Sequence, residues 1–321
     1  MAAIGCAGIL VSDLFCGPMP ALPVEGELLA VPAMTNSAGG CAANVAIDLA
    51  RQGLRVDVAG CVGTDPAAEP LLAELARSGV GCGRIKRSTE FATSKTVILV
   101  VAHQDRRYIH TFGANAAFGA GDLDPEWLAG LDIFYLGGLF ALPAMDARAL
   151  AALLAAARAA GTTTVVDVVV PNSDGDNAAL DLLLPHIDIF VPNADEARAF
   201  SGLDDPVEQI AALQARGART TIVTCGEHGA YAGSDGRCLH APAHRLDAID
   251  PSGSGDAFTA GIIAGLAEGL DLPAMLRLGC ALGASATRAM GTTTSVFRRE
   301  EAVAFIAANP IELKELEWKS R

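Results

Sequence analysis

From Ile133 to Thr224 the chain alternates short apolar runs with longer segments of helical period. Ile133 to Leu136, Thr164 to Val170, Ile187 to Val191 and Thr220 to Thr224 are rich in β-branched or apolar residues at nearly every position. Such runs suit strands buried on both faces, as in a parallel sheet covered by helices. The covering helices are predicted at Ala144 to Ala160, Ala194 to Ser201 and Val207 to Arg216. Upstream the pattern gives a strand at Ile4 to Val11, a helix at Cys41 to Gln52, a strand at Arg55 to Cys61 and a helix at Ala67 to Ser78. Helices at Ser254 to Glu268 and Pro273 to Met290 close the core.

One stretch breaks this rhythm. Lys95 to Ala102 and Arg106 to Thr111 are β-like and joined by the polar turn His103-Gln104-Asp105, a hairpin signature. The expected fold is therefore α/β: a doubly wound, mostly parallel sheet flanked by helices, with a small inserted β lid. No repeat, linker or shift in composition divides residues 1–321, so a single domain is expected, its lid formed by segments near 14–36 and 84–114. In such sheets ligands bind beyond the carboxyl ends of the strands.

Composition narrows the chemistry. The net charge of −14 comes without a basic stripe, which argues against a nucleic-acid partner. The eight cysteines show no Cys-x-x-Cys pair, and most lie in apolar runs as reduced, buried thiols. No apolar stretch is long enough to span a bilayer, and the N-terminus lacks a charged leader, so a cytoplasmic protein is expected.

The chemistry concentrates in Asp250-Pro251-Ser252-Gly253-Ser254-Gly255-Asp256, which runs straight into a helix. Amides at Gly253, Ser254 and Gly255 would converge on an anion at the helix N-terminus. A carboxylate in that turn would repel a phosphate. Asp256 makes sense if it takes the proton of a hydroxyl that attacks phosphorus. No P-loop occurs anywhere, and Phe258 stands where a dinucleotide fingerprint needs its third glycine. Three further segments carry polar groups at element ends: Ala38-Gly39-Gly40-Cys41-Ala42-Ala43-Asn44, Asn193-Ala194-Asp195-Glu196 and Thr224-Cys225-Gly226-Glu227-His228-Gly229.

Taken in order along nearly the whole chain, these four segments resemble the PfkB, or ribokinase-like, family of carbohydrate and nucleoside kinases. The resemblance implies that Asp256 is the catalytic base and that Gly253, Ser254 and Gly255 form an anion hole. It implies that Asn193 and Glu196 help hold Mg²⁺, largely through water, and that Thr224, Gly226 and Gly229 line the nucleotide. Asp13, Gly39, Gly40 and Asn44 match acceptor-binding positions. Asp250 and Ser252 match two ligand positions for a monovalent cation such as K⁺, which many members use. ATP and Mg²⁺ are thus the implied cofactors, and a homodimer paired through the lid is the implied assembly. Two alternatives stay open: a nucleoside as acceptor, or a catalytically silent protein that senses a metabolite.

Departures from the family pattern bear on the acceptor. Pro251 and Ser254 replace a Thr and an Ala, and neither change deletes an amide of the anion turn. Val11 and Cys41 stand where ribokinases carry Asn and Lys, and Gly137-Gly138-Leu139-Phe140 offers no acid. Ribose is therefore expected to be a poor acceptor, and one with a less polar portion a better one. Asp167, ending a buried strand, is read as a residue behind the site, His103 and His110 as lid residues, and Cys41 as a space-filler.

Overall fold

The computed structural model describes residues 2–318 apart from 103, 105 and 171–175. His103 and Asp105 of the predicted turn therefore lie outside the described residues. The N-terminal part comprises β1 (Ile4–Gly8), β2 (Val11–Met19), β3 (Met34–Gly39), α1 (Cys41–Arg51), β4 (Val56–Gly63), α2 (Ala68–Arg77) and β5 (Gly81–Ser88). Next come β6 (Lys95–Val101), β7 (Arg107–Thr111), α3 (Pro125–Ala129), β8 (Ile133–Gly137), α4 (Ala147–Ala159) and β9 (Thr163–Val166). The remainder is α5 (Asn177–Leu183), β10 (Ile189–Phe190), α6 (Ala194–Ser201), α7 (Pro206–Ala215), β11 (Thr220–Thr224), β12 (Ala230–Ser234) and β13 (Arg237–Ala241). It ends with α8 (Ser254–Ala267), α9 (Leu272–Ala286), α10 (Arg299–Ala308) and β14 (Lys314–Leu316).

The large sheet has the order β14-β13-β12-β11-β10-β9-β8-β1-β4-β5. From β11 to β5 every pairing is parallel, whereas β12, β13 and β14 add an antiparallel edge. One apolar cluster packs α1, α2, α8 and α9 on one face, and a second packs α3 to α7 on the other. Several helices start where an aspartate can cap them. Asp146, Asp176, Asp205 and Asp271 each accept an amide of the first turn, an interaction worth about 1 kcal/mol apiece.

A separate small sheet, in the order β3-β2-β6-β7, forms the lid. Its composition corrects two expectations. The run from Ile4 to Val11 is not one strand. Asn115 holds the main chain of Leu10 through both its amide and carbonyl, at 3.1 Å each, and the chain passes there from the large sheet into the lid. The lid thus begins at Val11. The second lid segment starts at Lys95 rather than near residue 84, because Gly81–Ser88 pairs in parallel with β4 at the edge of the large sheet. Arg84, Lys86 and Arg87 on that strand carry the charge of an exposed edge and hide its β character from a search for apolar runs.

Candidate active site

The strand order reverses between β1 and β8, and the connections beyond their carboxyl ends open a cavity of about 850 Å³. The lid strands β2, β6 and β7 roof one end of it, through Asp13, Thr96, Ile98, Tyr108 and His110, with Arg106 just before β7. The N-terminus of α8 forms the floor.

At that floor Gly253 is left-handed, with φ of 76°, and a Cβ there would overlap the Thr292 carbonyl. Only glycine makes this turn. The amide of Ser254 bonds back to the Pro251 carbonyl at 3.2 Å, so the anion turn does not offer all three predicted amides. Among the described residues, those of Gly253, Gly255 and Asp256 have no such acceptor. These three residues all line the cavity, where the helix end carries partial positive charge.

Asp256, the third residue of α8, points its carboxylate at α1. Asn44 Nδ2 donates to its Oδ2 at 2.7 Å. The sequence assigned Asn44 to acceptor hydroxyls. In the structure its amide is already engaged with the carboxylate. Burial raises the Asp256 pKa, while Asn44 and the Cys41 thiol oppose that rise. Cys41 Sγ and carboxylate oxygens of Asp167 and Asp256 lie within 4.8 Å of one another. Asp167 accepts from the Tyr135 hydroxyl and from the Gly138 amide at 2.6 Å. Its pKa rises with burial and with the charge of Asp256 nearby. An acid thus reaches the site just past β9, although the Gly137-Gly138 segment offers none of its own. Leu139 and Phe140 do not line the cavity, contrary to the expectation that they replace polar groups there. Phe140 packs against Phe200, and Ala141 faces the cavity instead.

Asp13 sits on β2, opposite Ser37 of β3 and Thr96 of β6. Gly39 leaves it room: a Cβ there would overlap the Asp13 carboxylate. Gly40 caps α1 and lines the cavity, whereas Gly39 acts through that space. Burial pushes the Asp13 pKa up to about 7, against the Thr96 hydroxyl and with the Asp256 charge. Sequence patterns gave no hint of Thr96, whose hydroxyl also bonds His110 Nδ1 at 3.0 Å.

At the far end Asn193 and Glu196 form a capping box, with Asn193 Oδ1 accepting from the Glu196 amide and Glu196 Oε2 from the Asn193 amide. Burial raises Glu196 to about 7, opposed by the Asn193 amide and reinforced by the Asp256 and Asp195 charges. Thr224 and Gly226 line the cavity at the end of β11, and Gly229 closes the turn behind them. Asp250 already accepts from the Ser252 amide and hydroxyl and from the Gly291 amide, at 2.7 to 3.1 Å.

The description pfkB family carbohydrate kinase matches residues 7–298 of this chain. The chain belongs to that family. A Klebsiella pneumoniae fructokinase is 33% identical, over 85% of this chain and 91% of its own length. A Shigella flexneri fructoselysine 6-kinase is 30% identical, over 77% and 88% respectively. Among solved structures, Thermotoga maritima ribokinase superposes with a TM-score of 0.81 at 22% identity, covering 96% of this chain and all of its own. This pfkB member is a kinase with the ribokinase-like fold, and most of the motif residues that its sequence set apart line the cavity, Gly39, Gly229 and Asp250 excepted.

Proposed function

We propose that this kinase transfers the γ-phosphoryl group of ATP, with Mg²⁺, to a hydroxymethyl group of a sugar. One observation carries the reading: Asp256 shares a turn with the unspent amides of α8, and Asn44 aims its carboxylate. The ionised carboxylate takes the hydroxyl proton as the oxygen attacks phosphorus. A pKa raised by burial brings Asp256 nearer neutrality, where a general base works best. The amides of Gly253, Gly255 and Asp256 receive charge that develops on the phosphoryl oxygens. Asp13 would grip acceptor hydroxyls under the lid.

The cavity fits a divalent cation. Asp13, Asp167, Glu196 and Asp256 line it against a single guanidinium, Arg106, among the described residues. These are hard oxygen donors. Glu196, steadied by Asn193, would hold Mg²⁺ through water. The ion's chemistry is to neutralise the nucleotide phosphates.

Ile9, Val11, Ile98, Phe112, Ala141 and Val168 line the acceptor end and favour a sugar larger and less polar than ribose. Fructokinase and fructoselysine 6-kinase among the relatives agree with that size. A nucleoside is the second reading, favoured by the cavity-lining row Tyr108, His110 and Phe112, on which a base could stack. The exposed lid edge β7, with Ile109 63% exposed, supports pairing of two lids in a dimer.

The test is Asp256→Asn. It should bind ATP as the wild type does and lose at least about 10²-fold in kcat. Near-normal turnover with the best acceptor would remove Asp256 from the base role.

A further inference from the structure

Asn44, Asp48 and Gln52 follow one another at four-residue spacing along α1 and its C-cap, so they share one face. They are 2%, 0% and 5% exposed, among Ala42, Ala43, Val45, Ala46, Ile47 and Leu49, all buried. The two amide groups each donate once, Asn44 to Asp256 and Gln52 to the Phe297 carbonyl, both at 2.7 Å. What remains is a row of acceptors. Asn44 Oδ1, both Asp48 carboxyl oxygens and Gln52 Oε1 are buried and have no hydrogen-bond partner among the described residues. Arg51 directs its Nη1 to the Thr294 and Val296 carbonyls instead. Burial without a contacting cation pushes Asp48 well above the carboxylate range, a shift that the Arg51 charge opposes and the Asp256 charge reinforces. That direction favours the protonated carboxyl, which would offer a donor to this row of acceptors.

The Asn44 amide can sit in two orientations. One presents Nδ2 to Asp256, and the other would press Oδ1 against a carboxylate. What meets Oδ1 decides between them. The next residue on that face, Asp48, lies one turn deeper, with Cβ atoms about 5–6 Å apart in such a pair. A single water bonded to both side chains would bridge a gap of that size.

We propose that Asp48 is a positioning residue for phosphoryl transfer: its carboxyl, bridged by one buried water to Asn44 Oδ1, fixes the amide so that Nδ2 faces Asp256. The proposal rests on Asp256 being the base. An apolar side chain in place of a buried acid packs at least as well, so loss of Asp48 should harm catalysis without harming the fold.

The experiment measures kcat, acceptor KM and Tm for Asp48→Leu and Asp48→Asn beside Asp256→Asn. Asp48→Leu should lower kcat at least about fivefold, the scale of one weakened hydrogen bond to a charged group, with Tm equal to the wild type's or higher. Acceptor KM should stay within about twofold, since no acceptor contact is touched. Asp48→Asn retains a donor for the same water and should keep kcat within about twofold. Unchanged kcat in Asp48→Leu, an equal loss in both Asp48 variants, or a loss that travels with a lower Tm overturns the proposal. If Asp48→Leu does not accumulate folded, a high-resolution crystal structure of the wild type decides. A water bonded to both Asn44 Oδ1 and the Asp48 carboxyl supports the bridge, and ordered side chains without one overturn it. Near-normal turnover in Asp256→Asn would instead bring down the base itself.

Discussion

Replacing Asp13 by Asn should stabilise the protein, and the gain should grow with pH. Burial raises Asp13 from 3.8 to about 7 in the folded chain. A carboxyl whose folded pKa lies above its unfolded value keeps its proton longer in the folded state. That favours folding at low pH, and the advantage is lost as pH rises from about 4 through about 7. Above that range the folded protein carries a buried carboxylate that the unfolded chain would solvate freely. A shift of about 3 units corresponds to about 4 kcal/mol over the whole window. Between pH 5.5 and pH 8 the protein crosses roughly half of it, or about 2 kcal/mol. Asn is nearly isosteric and does not titrate, so subtracting the two proteins' stabilities cancels every other titrating group. Urea denaturation of wild type and Asp13→Asn at both pH values reads this difference. The same variant should lose acceptor-dependent turnover at either pH. An equal stability gain at both pH values, or a deficit that widens with pH, would refute the reasoning from burial.

Glu196→Gln should shift the Mg²⁺ dependence of the rate to higher concentration and leave acceptor KM nearly unchanged. A moved acceptor KM with an unmoved Mg²⁺ curve would show that this end of the cavity was misread. In a side-by-side panel of pentoses, hexoses and nucleosides, ribose should fall at least about tenfold in kcat/KM below the best acceptor, the factor expected for one unpaired hydroxyl on burial. Ribose emerging as the best acceptor would refute the reading of the apolar lining.

The elements were legible wherever one physical signal sufficed. The apolar runs at Ile133, Thr164 and Thr220 became β8, β9 and β11 because strands buried on both faces need apolar side chains throughout. The turn from Asp250 to Asp256 was legible because glycines before a helix leave amides unpaired. Its count of amides was not, since the bond from Ser254 to Pro251 depends on a turn geometry that residue types do not encode. The edge strand β5 was hidden by its charges, and β2 by its fusion with β1 into one apolar run. Tyr135 gave no signal as a site residue. It reaches Asp167 only because β8 and β9 are neighbours in the sheet, and neighbourhood across a sheet is a property of topology.

The same topology accounts for how so acidic a protein can receive an anionic nucleotide. Around the cavity the acidic side chains are Asp13, Asp167, Glu196 and Asp256, and Arg106 faces them from the lid side. The end of the cavity at Asn193, Glu196 and Thr224 has no cationic side chain among the described residues that line it. Its positive potential comes from backbone: the first turn of α8, whose amides at Gly253, Gly255 and Asp256 are left unspent. Backbone dipoles are fixed by the fold and need no reorganisation as charge moves onto phosphoryl oxygens. They are weak over distance beside a cluster of acidic side chains, so on the proposed function the site would draw on a metal that arrives with the nucleotide. On the proposed function, the carboxylates that make free nucleotide unwelcome would be the ones that hold the acceptor, take its proton and steady the ion. Selectivity for the metal-bound nucleotide would then follow from the same residues that perform the chemistry.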